Sequence, residues 1–336
     1  MHRTRGWVRR LAYLLLLALM LGGGVLYMTH MPGKSWSGTL PPPTKERARL
    51  AGRLEAHVTV LSEAIGERNL WRDGSLEAAA DYIEASFQSM GYTVSSQAFT
   101  AQGVRVRNLE AVLEGSSRAQ EIVLLGAHYD SVRGSPGAND NASGIAGLLE
   151  IARMLVDSSL ARSVRFVAFV NEEAPFFYTR EMGSHRYAQQ AHARGDNISA
   201  MISLETIGYY SDTEGSQHYP NPLYAWFYPD TGNYIGFVGN LASRKLVRQC
   251  LASFRRHSAF PSEGVAAPGN MTGIHWSDHW SFWQQGYAAV MVTDTALFRY
   301  PHYHAATDTP DRLDYQRLAS VVAGLAAVTS DLAGQP

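Results

Sequence analysis

Acidic and imidazole side chains follow four apolar segments that have the composition of buried strands. They are His128 and Asp130, Glu172 and Glu173, Glu205, and Asp294, with His304 ten residues after the last. In open α/β sheets, ligands bind at the carboxyl ends of the strands, so these side chains are expected to converge on one crevice. A single histidine or glutamate pair after a strand is usually an ordinary loop residue. Four strand ends of the same character predict a functional site.

A further carboxylate lies in the segment AND-NASG at 138–144, which leads into an apolar helix. Asp140 stands just before the expected start of that helix, and a helix N-cap would by itself explain an aspartate there. The alternative is a carboxylate shared by two cations. The small residues that follow would then let the backbone approach closely.

Histidines and carboxylates without cysteine are the donor set of a catalytic zinc site. Two histidines and three carboxylates exceed the needs of one catalytic zinc ion and suffice for two ions with a bridging ligand. Asp130 can accept a hydrogen bond from the second ring nitrogen of His128 and fix its tautomer. Of the adjacent pair Glu172 and Glu173, one can bind metal while the other faces the bound water as a general base.

The elements that would position these side chains alternate along the chain. Predicted strands lie at 92–100, 104–114, 121–127, 164–170, 198–204 and 287–293. Predicted helices lie at 44–65, 75–90, 142–157, 181–194, 241–257, 277–284 and 314–333. This alternation predicts an α/β fold with a mixed, mostly parallel central sheet and helices on both faces. The first two strands are close in sequence and are expected to form an antiparallel hairpin at one edge.

The composition indicates a large folded domain. The chain has 336 residues, of which 46% are hydrophobic and 18% charged, so it does not belong to the disordered class. The net charge of −1 offers no global attraction for nucleic acid, and no nucleic-acid partner is expected. Cys250 is the single cysteine, which excludes an internal disulfide and a cysteine-rich zinc site.

Residues 1–31 are predicted to be a membrane anchor or a signal segment. The run from Leu11 to Met28 holds eighteen residues without charge, close to the ~20 that a membrane-spanning helix needs. Four arginines precede the run, at positions 3, 5, 9 and 10. The positive-inside rule then keeps the N-terminus in the cytoplasm and places the rest outside, in the periplasm or extracellular space. The alternative is a secreted protein after signal cleavage, although no A-x-A site follows the run.

Two further segments divide the remainder of the chain. Residues 32–43 are rich in Pro, Gly and Ser and predict a linker to a domain at 44–336. Within that domain, residues 209–237 hold nine aromatic side chains without clear periodicity. A long segment of this kind is usually functional or disordered, and its aromatic content argues against disorder. It is either an insertion packed on itself or a wall of the substrate pocket.

The motifs AHYD, GANDNASG, NEE, SLETIGY and YHAATDT, in this order, resemble those of the co-catalytic zinc aminopeptidases, the leucyl-aminopeptidase-like metallopeptidases. The resemblance covers about residues 60–333. It implies two zinc ions with these ligands: His128, Asp140 and Glu205 for one, and Asp140, Glu173 and His304 for the other. It also implies that Glu172 takes a proton from the water between the two ions and passes it to the leaving amine. Glu205 stands where the family commonly has aspartate, so its carboxylate is one methylene longer.

The resemblance implies an aminopeptidase that hydrolyses peptides with a free N-terminus and is held at the membrane by its N-terminal helix. One alternative is a glutaminyl cyclase, which has a related fold and a single zinc. The sequence around Asp140, and Tyr303 before His304, favour the peptidase. The other alternative is a non-catalytic ectodomain of the same fold. Retention of the whole ligand set and of Glu172 argues against it.

Overall fold

A computed structural model describes residues 2–334 of the chain. Met1, Gln335 and Pro336 lie outside the described residues, as do the side chains at positions 2–6, 8, 9 and 223. Three of the four arginines before the apolar run, at positions 3, 5 and 9, therefore have no described side chain.

An eight-stranded mixed sheet lies at the centre of residues 2–334, with strand order β1-β2-β4-β3-β5-β8-β6-β7. Its strands are β1 (Val94–Ala101), β2 (Val104–Leu113), β3 (Arg118–His128), β4 (Arg162–Phe169), β5 (Asn197–Glu205), β6 (Ile235–Asn240), β7 (Ser262–Ala267) and β8 (Ala289–Thr293). Strands β4, β3, β5 and β8 run parallel to one another, as do β6 and β7. The β1–β2 hairpin is antiparallel and forms one edge, which confirms the predicted mixed sheet.

Helices cover both faces of this sheet, as predicted. The α-helices of residues 2–334 are α1 (His2–Thr29), α2 (Lys45–Thr59), α3 (Ser75–Ser89), α4 (Gly144–Leu155), α5 (Gly183–Arg194), α6 (Arg244–His257), α7 (His279–Trp283) and α8 (Tyr315–Ala333). Helices α2, α3, α4, α6 and α8 bury side chains in the larger core, while α5 and α7 cover the other face. In β3, Val123 and Leu125 join the larger core, and Ile122 and Leu124 the smaller one. This alternation is the period of two of a strand buried on both faces.

Helix α1 stands apart from both cores. Its stretch Arg10–Thr29 is 20 residues long, apolar and unburied, which suffices by length and composition to cross a membrane. A signal sequence meets the same criteria. Thr44 caps the next helix, since its side-chain oxygen accepts a hydrogen bond from the main-chain N–H of Arg47 at 3.1 Å.

Strands β6 and β7 were not among the predicted elements. Each is six residues long, and glycines interrupt its apolar pattern, as in IGFVGN and SEGVAA. Such short runs give little period-two signal. Strand β6 begins at Ile235, so the end of the aromatic segment 209–237 belongs to the sheet. The segment also contains a short 3₁₀ helix, Pro222–Trp226.

Candidate metal centre

The parallel strands β4, β3, β5 and β8 bring the predicted site residues to one edge of the sheet. His128 is the last residue of β3 and Glu205 the last residue of β5. Glu172 and Glu173 follow the end of β4, and His304 comes from the loop after β8. The convergence expected from the strand ends is therefore present in the structure.

The side chains form two groups that share Asp140. In the first group, His128 Nε2 lies 3.3 Å from Asp140 Oδ1 and 3.3 Å from Glu205 Oε2. In the second, His304 Nε2 lies 3.0 Å from Asp140 Oδ2 and 3.3 Å from Glu173 Oε2. Asp140 thus turns one carboxylate oxygen toward each group. Within each group, one donor atom of every residue lies within 4.8 Å of the others, close enough to surround one cation.

The hydrogen bonding of the first group fits a metal ion. His128 Nδ1 lies 3.2 Å from the main-chain carbonyl oxygen of Asp130, which can only accept, so Nδ1 carries the proton. In a neutral imidazole, Nε2 then presents its lone pair. Both Nε2 of His128 and Oδ1 of Asp140 are buried without a hydrogen-bond partner. Buried polar atoms of this kind are rare and call for a ligand. A set of imidazole and carboxylate donors without cysteine suits zinc.

Electrostatics in the site also favour a cation. Burial alone would lower the pKa of His128, but the charges of Glu205 and Glu172 raise it well above its ordinary value. Burial raises the pKa of Glu173 to about 7, and neighbouring Asp140 adds to that effect. Carboxylates crowded into a buried site resist ionisation unless a positive charge offsets them. A divalent cation between the two groups would supply that charge.

Asp130 contacts His128 and the segment that carries Glu172 and Glu173, though not in the way its sequence position suggested. The hydrogen bond from His128 Nδ1 goes to its main-chain carbonyl, while its carboxylate Oδ1 lies 3.5 Å from that nitrogen. The carboxylate instead accepts the main-chain N–H groups of Glu172 at 3.1 Å and Glu173 at 3.0 Å. One buried side chain therefore orients the segment that carries both glutamates.

The two adjacent glutamates occupy different positions. Glu173 belongs to the second group, whereas Glu172 belongs to neither. The Oε2 atom of Glu172 lies 3.9 Å from Nε2 of His128. Burial raises the pKa of Glu172 well above its ordinary value, despite the opposing effect of His128. This carboxylate therefore lies beside the donor groups without completing either.

Two more aspartates fix the segment around Asp140. Asp308 Oδ1 accepts the main-chain N–H of Asn139 at 2.8 Å, and its Oδ2 accepts that of Asp140 at 3.1 Å. Asp294, the acid after β8, accepts a hydrogen bond from the side chain of Asn139 at 2.9 Å and joins neither donor group. Sequence reasoning missed the role of Asp308, although it lies in the YHAATDT motif together with His304.

A fully buried arginine holds the loop between His128 and Asp140. The guanidinium of Arg68 donates hydrogen bonds to five main-chain carbonyls, those of Leu61, Gly66, Tyr129, Pro136 and Gly137. Burial lowers its pKa to about 10, and it remains charged at neutral pH. Nothing in the local sequence ERN distinguishes this residue from an exposed one, and it was not predicted.

The helix that follows Asp140 starts very close to β5. A side chain on Gly144 would place its Cβ 2.6 Å from the carbonyl oxygen of Leu204 and 2.3 Å from Oδ1 of Asn141. Only glycine permits this approach, in agreement with the expected role of the small residues after Asp140.

An aromatic cavity of about 130 Å³ opens beside Glu205 and Tyr303. Most of its wall is apolar, and it includes Tyr219, Tyr224, Tyr228, Tyr234, Phe237, Trp276 and Phe298. Five of these side chains come from the segment 209–237, some of which also contact each other. The segment therefore lines a cavity next to the donor groups as well as packing on itself.

Several known proteins are similar to this chain in sequence or in fold. The chain is 36% identical over 322 residues to an Escherichia coli (strain K12) protein described as uncharacterized protein YfbL, covering 94% of this chain and 96% of that one. The LapA aminopeptidase of Legionella pneumophila superposes with a TM-score of 0.68 at 18% identity, over 89% of this chain and 78% of that one. BSAP, a zinc aminopeptidase from Bacillus subtilis, gives 0.67 at 16% identity, over 88% and 96%. The model of peptidase family M28 matches residues 108–329, and the chain belongs to that family.

Proposed function

We propose that the protein is a zinc-dependent aminopeptidase with two metal ions. The observation that carries this proposal is the pair of donor groups that share Asp140, with Glu172 beside them and an aromatic cavity next to Glu205. The first ion would be held by His128, Asp140 and Glu205. The ligands of the second would be Asp140, Glu173 and His304. Zinc relatives of the same fold support the choice of metal.

Bound zinc polarises a carbonyl group and lowers the pKa of water, so that the carbonyl carbon can be attacked at neutral pH. The protein itself must move the proton. Glu172 is buried, with a pKa raised well above the ordinary value of a glutamate. A carboxylate with a raised pKa can accept a proton from water and return it to the leaving amine nitrogen. Asp130 holds the main chain of Glu172 and thereby fixes where the proton is taken.

The acidic surroundings favour a substrate with a free amine. We expect the amine of a peptide N-terminus to bind beside Glu205 and Glu173, whose carboxylates would favour it over a C-terminal carboxylate. The aromatic cavity can receive the first side chain. Its wall also contains Glu263, which lies 3.5 Å from Arg255, so its charge is paired. We therefore expect apolar first residues to be preferred and N-acetylated peptides to resist cleavage.

We also propose that residues 1–31 anchor the protein in a membrane. Residues 32–43 would link that anchor to a catalytic domain at 44–336, with 209–237 as an insertion that closes one side of the cavity. The apolar helix Arg10–Thr29 supports an anchor, and the arginine-rich start of the sequence supports a catalytic domain outside the cytoplasm.

Hydrolysis of leucyl-, glutamyl- and N-acetyl-leucyl-4-nitroanilide, with and without a chelator, tests the activity. We expect the leucyl compound to be cleaved fastest, the acetylated compound to be inert, and the chelator to abolish cleavage. Comparable cleavage of the acetylated compound would instead indicate an endopeptidase or an amidohydrolase. Inertness to all three compounds, together with pyroglutamate formation from a glutaminyl peptide, would assign the site to a cyclase.

A further inference from the structure

A basic groove of about 500 Å³ lies where the N-terminal helix meets the rest of the protein. Tyr27 and Pro32 line one side, and α6 lines the other through Arg244, Lys245 and Arg248. Helix α6 contains five lysines and arginines and no acidic residue, since its sequence is RKLVRQCLASFRRH. The groove is therefore cationic.

Helix α6 also holds the chain that leaves α1. Three of its arginines donate hydrogen bonds to main-chain carbonyls in the same order along both segments: Arg244 to Tyr27 at 2.6 Å, Arg248 to His30 at 2.5 Å, and Arg255 to Pro32 at 2.9 Å. The guanidinium of Arg244 also lies over the Tyr27 ring, 3.9 Å from its centroid. The exit segment thus runs parallel to α6, and the N-terminal end of α6 is the end nearest the apolar helix.

This arrangement fixes the depth of the basic side chains relative to the apolar helix. Arg244 contacts a carbonyl one residue before the end of the uncharged run at Met28. Four residues of an α-helix rise about 6 Å. Arg248 therefore lies only about 6 Å further along α6 than Arg244. The headgroup layer on each side of a bilayer is about 5–7 Å thick. If α1 spans a membrane, all three basic side chains of the groove lie at headgroup level.

The basic side chains of the groove have more N–H groups than their hydrogen bonds to the main chain use. Within residues 2–334, Arg244, Lys245 and Arg248 form no ion pair with a carboxylate. Each arginine donates one hydrogen bond to a carbonyl, and a guanidinium has five N–H groups. Two free N–H groups on one guanidinium match the oxygens of a phosphate. Lys245 is exposed and adds a third charge.

We propose that this groove binds the phosphate of an anionic phospholipid headgroup and so fixes the orientation of the domain on the membrane. The inference rests on the proposed anchor and is independent of the proposed chemistry. A phospholipid is favoured over a soluble phosphate ester because apolar surface adjoins the cations. Leu241, which is 41% exposed, lines the groove, and the exposed apolar residues of α1 begin beside it.

The test uses the full chain purified in dodecyl maltoside and short-chain lipids detected by native mass spectrometry. We expect dioctanoyl phosphatidylglycerol to bind in preference to dioctanoyl phosphatidylcholine. A basic residue near an anionic surface contributes about fivefold to affinity, so the double variant Lys245→Gln/Arg248→Gln should bind the anionic lipid ~30-fold more weakly. The matched control is Arg72→Gln/Arg105→Gln, which removes two exposed charges elsewhere and should bind as the wild type does.

Three results would overturn the inference: equal binding of the two lipids, an unaltered Lys245→Gln/Arg248→Gln variant, or binding of glycerol 3-phosphate as tight as that of the anionic lipid. Carbonate extraction of the full chain from phosphatidylcholine vesicles separates the inference from the anchor on which it rests. Release of the chain would overturn both. If the chain is retained but shows no headgroup preference, the result supports the anchor and overturns only the headgroup site.

Discussion

Replacing Asp130 with asparagine should damage the site in two ways. The Asp130 carboxylate accepts one main-chain N–H on each oxygen, from Glu172 at 3.1 Å and from Glu173 at 3.0 Å. Asparagine keeps one acceptor oxygen and turns an NH₂ group toward the other N–H. A hydrogen bond to a charged group is worth about 1.5–3 kcal/mol, and a buried donor left unpaired adds to the loss. We expect the free energy of unfolding to fall by about 2–4 kcal/mol.

The same substitution should weaken metal binding, because the ligand Glu173 moves with its main chain. Loss of a group that orients metal ligands typically costs 10–100-fold in affinity or activity. At a fixed excess of zinc, a 10–100-fold weaker affinity removes about 1.4–2.7 kcal/mol of the stabilisation that bound metal gives. The difference in melting temperature with and without chelator should therefore be smaller in Asp130→Asn than in the wild type.

Three measurements separate local damage from general destabilisation. They are zinc content by mass spectrometry, kcat and KM on leucyl-4-nitroanilide well below the melting temperature, and the melting temperature with and without chelator. Asp73→Asn is the matched control, since Asp73 is exposed and belongs to neither donor group. If folded Asp130→Asn kept the zinc content and kcat of the wild type, the proposed orienting role would be wrong.

Three further perturbations test other parts of the proposal. Glu172→Gln should yield a folded, zinc-loaded enzyme slower by ~10²–10⁴-fold, and near wild-type turnover would place the base elsewhere. Burial opposes ionisation of Glu150, yet hydrogen bonds from His57 and Arg53 lower its pKa. Its contribution to stability is thus present above the ordinary glutamate pKa of about 4.3 and lost as pH falls below it. In urea unfolding, the difference between wild type and Glu150→Gln should shrink as pH falls from 5 to 3; a constant difference contradicts this. Protease added outside intact cells, or to spheroplasts, should digest the domain, and a mature N-terminus beyond residue 28 would exclude the retained anchor.

The position of the site in the fold was predictable because it depends on strand ends. His128 and Glu205 are the final residues of β3 and β5, and the apolar runs before them are long enough to predict. Parallel neighbours then bring their carboxyl ends together without further information. The same reasoning predicted that Asp294 lies in the crevice, but it did not predict the hydrogen-bond partner of Asp294. Its carboxylate binds the Asn139 side chain, a pairing that requires knowledge of the loop geometry.

The supporting groups could not be predicted because their contacts are distant in sequence and involve the main chain. Asp308 accepts a hydrogen bond from the main-chain N–H of Asp140, which lies 168 residues earlier in the sequence. The residue types alone do not predict such a bond. Arg68 donates to main-chain carbonyls as far along the chain as that of Gly137, and every residue type has such a carbonyl. A hydrogen bond to a main-chain group therefore leaves no pattern of residue types in the sequence. Strands β6 and β7 escaped prediction for a different reason, since glycine interrupts their short apolar runs.

The longer side chain of Glu205 can be reconciled with a well-formed donor group. A glutamate has one more rotatable bond than an aspartate, and fixing it on metal binding costs additional side-chain entropy. In the structure this bond is already restrained, because the Ser277 hydroxyl donates to Glu205 Oε2 at 2.8 Å. That same oxygen lies 3.3 Å from His128 Nε2, so the hydrogen bond holds it in the donor group. Part of the entropy is thus lost on folding rather than on metal binding. The glutamate is compatible with two metal ions as long as Ser277 keeps it in place.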